Sequence, residues 1–202
     1  MKTDVCRFER EVPDIGSITD LAAKSAAYNG LDKGQELKLT LLCEELVEML
    51  PNLLIYGNGE FWIENNGNEY RLHTVVEADQ LISATDREDI LSVSTSGRNA
   101  AAVGIMNKIR IAAEVMIAAY AESEGTSDMV YPDSHYSFYE QGRFVDPIGY
   151  SSEWSLEKYR SEVQKGSDAW DDLEKSIIAN MADDVTVGII GGKVEIVVKK
   201  TF

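Results

Sequence analysis

The sequence is short of cysteine, histidine and positive charge. Its 202 residues include two cysteines, Cys6 and Cys43, and two histidines, His73 and His135. Two cysteines cannot build a disulfide framework, and no metal-ligand spacing joins them to either histidine, so no metal site is expected. Lysine and arginine number 19 against 35 aspartates and glutamates, a net charge of −16. A surface this acidic repels a polyanion, which argues against a nucleic-acid partner. The opening segment, MKTDVCRFERE, has no apolar signal region. The most apolar stretch, 99–121, is interrupted by Asn107, Lys108, Arg110 and Glu114 and cannot span a bilayer. These absences point to a cytoplasmic protein that does not enter a membrane. A glycine-rich phosphate loop between strand and helix is missing, and so is a G-x-S-x-G nucleophile elbow.

What is present is ordinary globular composition, with 44% hydrophobic and 27% charged residues. At this length one domain over residues 1–202 is expected, burying roughly 70% of the surface its unfolded chain exposes. Residues 4–11 alternate as a first strand, with Cys6 and Phe8 on one face. Ser17 can cap a helix from Ile18 to Tyr28, which Asn29-Gly30 ends in a left-handed turn. A longer helix is predicted from Gln35 to Leu50, stopped by Pro51. Leu39, Leu42, Cys43, Leu46, Met49 and Leu50 form its apolar stripe. Residues 60–64 and 69–77 read as a hairpin turned at Asn65-Asn66-Gly67-Asn68. Its second strand places Tyr70, Leu72, Thr74 and Val76 on a covered face, and Arg71, His73, Val75 and Glu77 on an uncovered one.

A short helix is expected at 87–92 and a long one at 100–122, apolar at Ala102, Met106, Ile109, Ala113, Met116, Ile117 and Tyr120. Residues 123–167 hold eight of the seventeen aromatic residues. Such a segment reads as an ordered insertion that packs on the body or on a partner. A further helix, 168–182, presents Trp170, Leu173, Ile177 and Met181. Strands at 185–190 and 193–200 close the chain, turned at Gly191-Gly192. Helices grouped between antiparallel hairpins imply an α+β fold, a two-layer sandwich of a mixed or antiparallel sheet with helices on one face.

Two places can carry chemistry. Glu44 and Glu48 lie opposite Leu46 on the longer helix and read as a solvated face. Glu45 lies at the flank, where a carboxylate can activate water or help hold a cation, or simply face water. The second place is Ser94-Thr95-Ser96-Gly97-Arg98-Asn99 at the start of the long helix. Hydroxyls, free backbone N–H groups and an arginine suit a phosphate. Helix capping by Ser96 or Asn99 is the structural alternative. His73 reads as an ordinary strand residue.

The first strand, short helix, helix reading Leu39-x-Leu41-x-x-Glu44-Glu45-Leu46, and hairpin together resemble the histidine-kinase-like ATPase superfamily. The branch they are most similar to is the small anti-sigma-factor serine kinases. Residues 97–106 (GRNAAAVGIM) resemble the second glycine box of that family, and the final hairpin resembles its last two strands. The resemblance spans 4–122 and 168–202. It implies Glu45 as the catalytic residue, with Asp79, Ser96, Gly97, Arg98, Asn99 and Gly104 binding ATP or ADP. Met49 stands where the family has the asparagine that binds magnesium, so magnesium lacks its amide ligand. The segment Glu77-Ala78-Asp79-Gln80-Leu81 supplies an acid but not the glycines of the adenine box. The implied function is regulatory, by protein contacts, with a protein partner and a homodimer both open. An active serine kinase or ATPase and a small-ligand binding module are the alternatives, and whether the chain is an enzyme stays open.

Overall fold

The computed structural model describes residues 1–9, 14–53, 56–78, 105, 108–109, 112–113, 116, 154–167, 170, 173–174, 176–190 and 192–202. The described elements run β1 (Cys6–Glu9), α1 (Ile15–Asn29), α2 (Lys33–Leu53), β2 (Tyr56–Asn66) and β3 (Glu69–Ala78). They continue with β4 (Trp154–Ser155), α3 (Leu156–Glu162), α4 (Ile177–Met181), β5 (Asp184–Ile190) and β6 (Lys193–Thr201).

The helix starts obey charge and capping more closely than the apolar pattern suggests. Asp14, not Ser17, caps α1: its carboxylate accepts from the backbone N–H of Gly16 (3.2 Å) and Ser17 (3.3 Å). The Ser17 hydroxyl donates to the same carboxylate at 2.9 Å. A full negative charge at the positive end of the helix outcompetes a neutral hydroxyl for that place. At the other end Gly30 adopts φ 69°, ψ 30°, and Leu31 N–H reaches back to Ala26 O at 3.0 Å. That is a Schellman ending, which glycine adopts without a Cβ penalty.

Helix α2 begins at Lys33, two residues before the predicted start at Gln35. Asp32 accepts from Gly34 and Gln35 N–H, while Gln35 Oε1 accepts from Asp32 N–H at 3.0 Å, a reciprocal capping box. The backbone stays helical past Pro51 to Leu53, so the proline lies within the last turn instead of closing it. Leu39, Leu42, Cys43, Leu46, Met49 and Leu50 are all buried, as the periodicity requires.

Six strands form one open antiparallel sheet in the order β1-β2-β3-β6-β5-β4. The fold is α+β, and the sheet is antiparallel at each of its pairings. Inner rows run straight across it. Phe61, Thr74, Ile196, Val187 and Trp154 form one row; Ile63, Leu72, Val198 and Val185 form the next. All are buried, and they share one core with Ile18, Ala22 and Ala26 of α1 and with the α2 stripe. Alternation thus puts the helices on the inner face, while Arg71, His73, Val75 and Glu77 lie outward and are exposed or half-buried.

Two expectations need adjusting, the length of the first hairpin's turn and the continuity of helix 168–182. Asn66 pairs with Glu69, so the first hairpin turns in two residues, with Gly67 at φ 62°, and not in four. Ile109 and Ala113 of the predicted long helix are helical and buried and Met116 packs against the core, as its stripe requires, with Ile105 and Ala112 buried beside them; Met106 lies outside the described residues. The predicted helix 168–182 is broken at Ser176, whose hydroxyl caps α4 by accepting from Ala179 N–H. That break rotates the pattern: Ile177 is 44% exposed and Ile178 is buried. Within the aromatic segment, β4 pairs with β5, and Trp154, Leu156 and Tyr159 enter the common core. The final hairpin pairs Ile190 with Lys193, and Gly192 takes φ 77° as a tight turn demands.

Arg160 fastens that segment to the body. Its guanidinium donates to Asp183 O at 3.0 Å and to the carbonyls of Ala179 and Ala182 at the end of α4. Asp184 complements it by accepting from Ser155 Oγ and Glu157 N–H at the start of α3. A cation at one helix end and an anion at another both follow the peptide dipoles.

Candidate functional site

Of the residues expected to form a nucleotide site, the structure describes Glu45 and Met49. Asp79, Ser96, Gly97, Arg98, Asn99 and Gly104 lie outside the described residues, as does the whole turn 94–99. The described flanks are Ala78, which ends β3, and Ile105, helical and buried.

With 3.6 residues per turn, the buried face of α2 extends from Met49 to Val47 around the helix, and Glu45 falls just outside the Met49 edge. Its carboxyl is half-buried there. Burial pushes its pKa above the ordinary glutamate range, and the charges of Glu48 and Glu44 push it the same way. Met49, by contrast, is 4% exposed and belongs to the hydrophobic core. Its thioether is a packing element, and magnesium prefers hard oxygen donors in any case.

The raised carboxyl has a stability consequence. The folded chain keeps the Glu45 proton to a higher pH than the unfolded chain, so stability falls as pH rises between the two values. Glu45→Gln is therefore expected to raise stability at pH 7 by up to about 1 kcal/mol, the scale of a half-exposed charge. The gain should vanish below the ordinary glutamate range, where both chains carry a neutral side chain. Urea midpoints at pH 7 and pH 3.5 check this; an equal gain at both would assign it to packing.

The outer sheet face carries a second cluster that the pattern of single strands does not reveal. Trp62 pairs with His73 across β2 and β3, and their rings stack at 4.8 Å with planes 4° apart. His73 Nδ1–H donates to Glu195 Oε1 on β6 at 2.9 Å, and its side chain is only 13% exposed. His73 Nε2 has no hydrogen-bond partner and lies 3.8 Å from Glu64 Oε2. The Trp62 indole N–H donates to Glu64 Oε1 at 2.9 Å. Lys2, bridged to Glu64 alongside β2, places its Nζ 4.1 Å from the Trp62 ring centroid and 3.5 Å from Glu64 Oε1. The indole bond holds the Glu64 carboxyl below its usual range, with the Lys2 charge adding to it. His73 is thus not a free strand residue. The signal for this cluster was the hairpin register: a two-residue turn pairs Trp62 with His73, whereas a four-residue turn pairs Trp62 with Arg71.

On the inner face, Thr74 is fully buried and its hydroxyl has no hydrogen-bond partner. Among the described residues no three His, Cys, Asp or Glu side chains converge as metal ligands do, and no helix is long and apolar enough to cross a membrane. Comparison with known proteins gives no matching family model, no matching curated protein and no matching solved structure.

Proposed function

We propose that this chain is a cytoplasmic regulatory protein of the anti-sigma type, working through protein contacts, with a nucleotide pocket of the histidine-kinase-like ATPase kind that has lost its magnesium ligand. The observation that carries the reading is the burial of Met49, on the helix that holds Glu45. The position where that family has a magnesium-binding amide belongs here to the core, so a correctly held cation is missing from γ-phosphate chemistry. The order strand, helix, helix, hairpin, with a hairpin closing the chain, supports the same reading. The net charge of −16 favours a protein partner over a nucleic acid. The half-buried carboxyl of Glu45 favours the alternative, an active ATP-dependent enzyme with unusual ligands, because a raised carboxyl suits a general base.

Calorimetry with phosphate, ADP and ATP, each with and without magnesium, separates the two. ADP and ATP are expected to bind with an affinity that magnesium does not change. Arg98→Ala should weaken binding by about 1.5–3 kcal/mol, the scale of a hydrogen bond to a charged group. Steady magnesium-dependent hydrolysis that Glu45→Gln abolishes would overturn the reading in favour of the enzyme. If none of the three ligands binds at millimolar concentration, the segment 94–99 is not a phosphate site.

A further inference from the structure

The cluster on the outer sheet face shows what chemistry it accepts, because a side chain of the chain itself is seated in it. His73 approaches Trp62 from the β3 side and Lys2 from the opposite edge of β2, so the indole stands between an imidazole and an ammonium. An ammonium over an indole face is attracted by the ring quadrupole. The carboxylate of Glu64 completes the arrangement, 3.5 Å from that ammonium and oriented by the indole N–H. Stacking on His73 fixes the ring, and Glu195 fixes His73 in turn. The platform is therefore built by three central strands, β2, β3 and β6. Its occupant is a half-exposed lysine, 51% exposed at the side chain, held outside the core.

Most other charges on this face are matched locally. Arg7 pairs with Glu60, Lys193 with Glu77, and Arg71 and Lys199 both with Glu69. A polar rim of this kind around a half-buried aromatic centre is the anatomy of a protein interface. The net charge of −16 draws in a cationic partner before one of either other kind.

We propose that Trp62, His73 and Glu64 form a docking site for a lysine side chain of a partner protein, and that Lys2 is its resident, displaceable occupant. This extends the protein-contact reading above but uses no part of the nucleotide pocket. The two therefore fail separately.

The test follows the indole N–H resonance of Trp62 by NMR, assigned by its loss in Trp62→Phe. The probe is Nα-acetyl-lysine methylamide, which keeps a free ε-ammonium, and the control is its Nε-acetylated analogue. In Lys2→Ala the probe should shift the resonance saturably at millimolar concentration, and the control should not. In the unsubstituted protein the apparent affinity should be at least fivefold weaker, because Lys2 competes. Lys2→Gln, which retains the stem of the side chain, should behave as Lys2→Ala does. Adding Glu64→Gln to Lys2→Ala should abolish the response. The proposal is overturned by no saturable shift in either Lys2 variant, by equal shifts from probe and control, or by a response that survives Glu64→Gln. Loss of nucleotide binding would leave all these outcomes unaffected.

Discussion

Leu42→Ala is expected to lower the unfolding free energy by about 2–5 kcal/mol, the range for removing a fully buried leucine side chain. Leu42 lies mid-stripe on α2 and is completely buried, in one core with the inner row of β3 and the helical residues Ile105 and Ile109. The loss combines the transfer of the side-chain carbons with the cavity left between helix and sheet. Neighbours cannot fill that space easily, because Leu39, Cys43 and Leu46 are equally buried around it. Urea unfolding measures the effect. A change below about 1 kcal/mol would show that the core is not closed at this point.

Gly59→Ala is expected to cost about 1–3 kcal/mol, the scale of overpacking in a filled core. Gly59 pairs with Phe8 across β1 and β2, and the Phe8 ring lies directly over it. A Cβ built on Gly59 would stand 2.1 Å from Phe8 Cε2 and 2.2 Å from Cζ. The objection to alanine is steric: Gly59 is not among the glycines with positive φ. Either the ring leaves its buried position or the edge strand β1 shifts outward. A double-mutant cycle isolates this cause. In a Phe8→Ala background the obstructing ring is gone, and Gly59→Ala should cost less than about 0.5 kcal/mol. A full cost in both backgrounds would show that the backbone at 59, and not the Phe8 ring, demands glycine.

Much of this fold was written in local pattern. The apolar stripe of α2, the two faces of β3, the left-handed turn at Gly30 and the final hairpin all follow from residues within a turn or two of one another. Side-chain periodicity and the φ preference of glycine act at that range, so reading them needs no knowledge of the partner element. Where two local signals competed, the pattern was less decisive. Asp14 displaced Ser17 as the cap of α1, and the hydroxyl of Ser176 divided one apolar run into separate helical pieces.

The nucleotide site rests on a resemblance carried by residues 39–46 and 97–106, and of its candidate residues Glu45 lies among the described ones. Its flank position on α2 was legible from the helix period. The rise of its carboxyl was not, because that depends on how far the helix sinks into the core.

Only the tertiary structure decided the strand order. β6 lies between β3 and β5, and Thr74 faces Ile196 across 122 positions of sequence. The two-residue strand β4 likewise joined the sheet from within the aromatic segment. The cluster of Trp62, His73, Glu64 and Glu195 depends on that order, since its members come from three strands and its central hydrogen bond spans the same distance along the chain. Alternation tells each strand which face to bury, but every register that shifts by two satisfies it equally well. Choosing among those registers takes simultaneous burial of all the inner rows against α1 and α2, a condition on the whole sheet that no single strand contains.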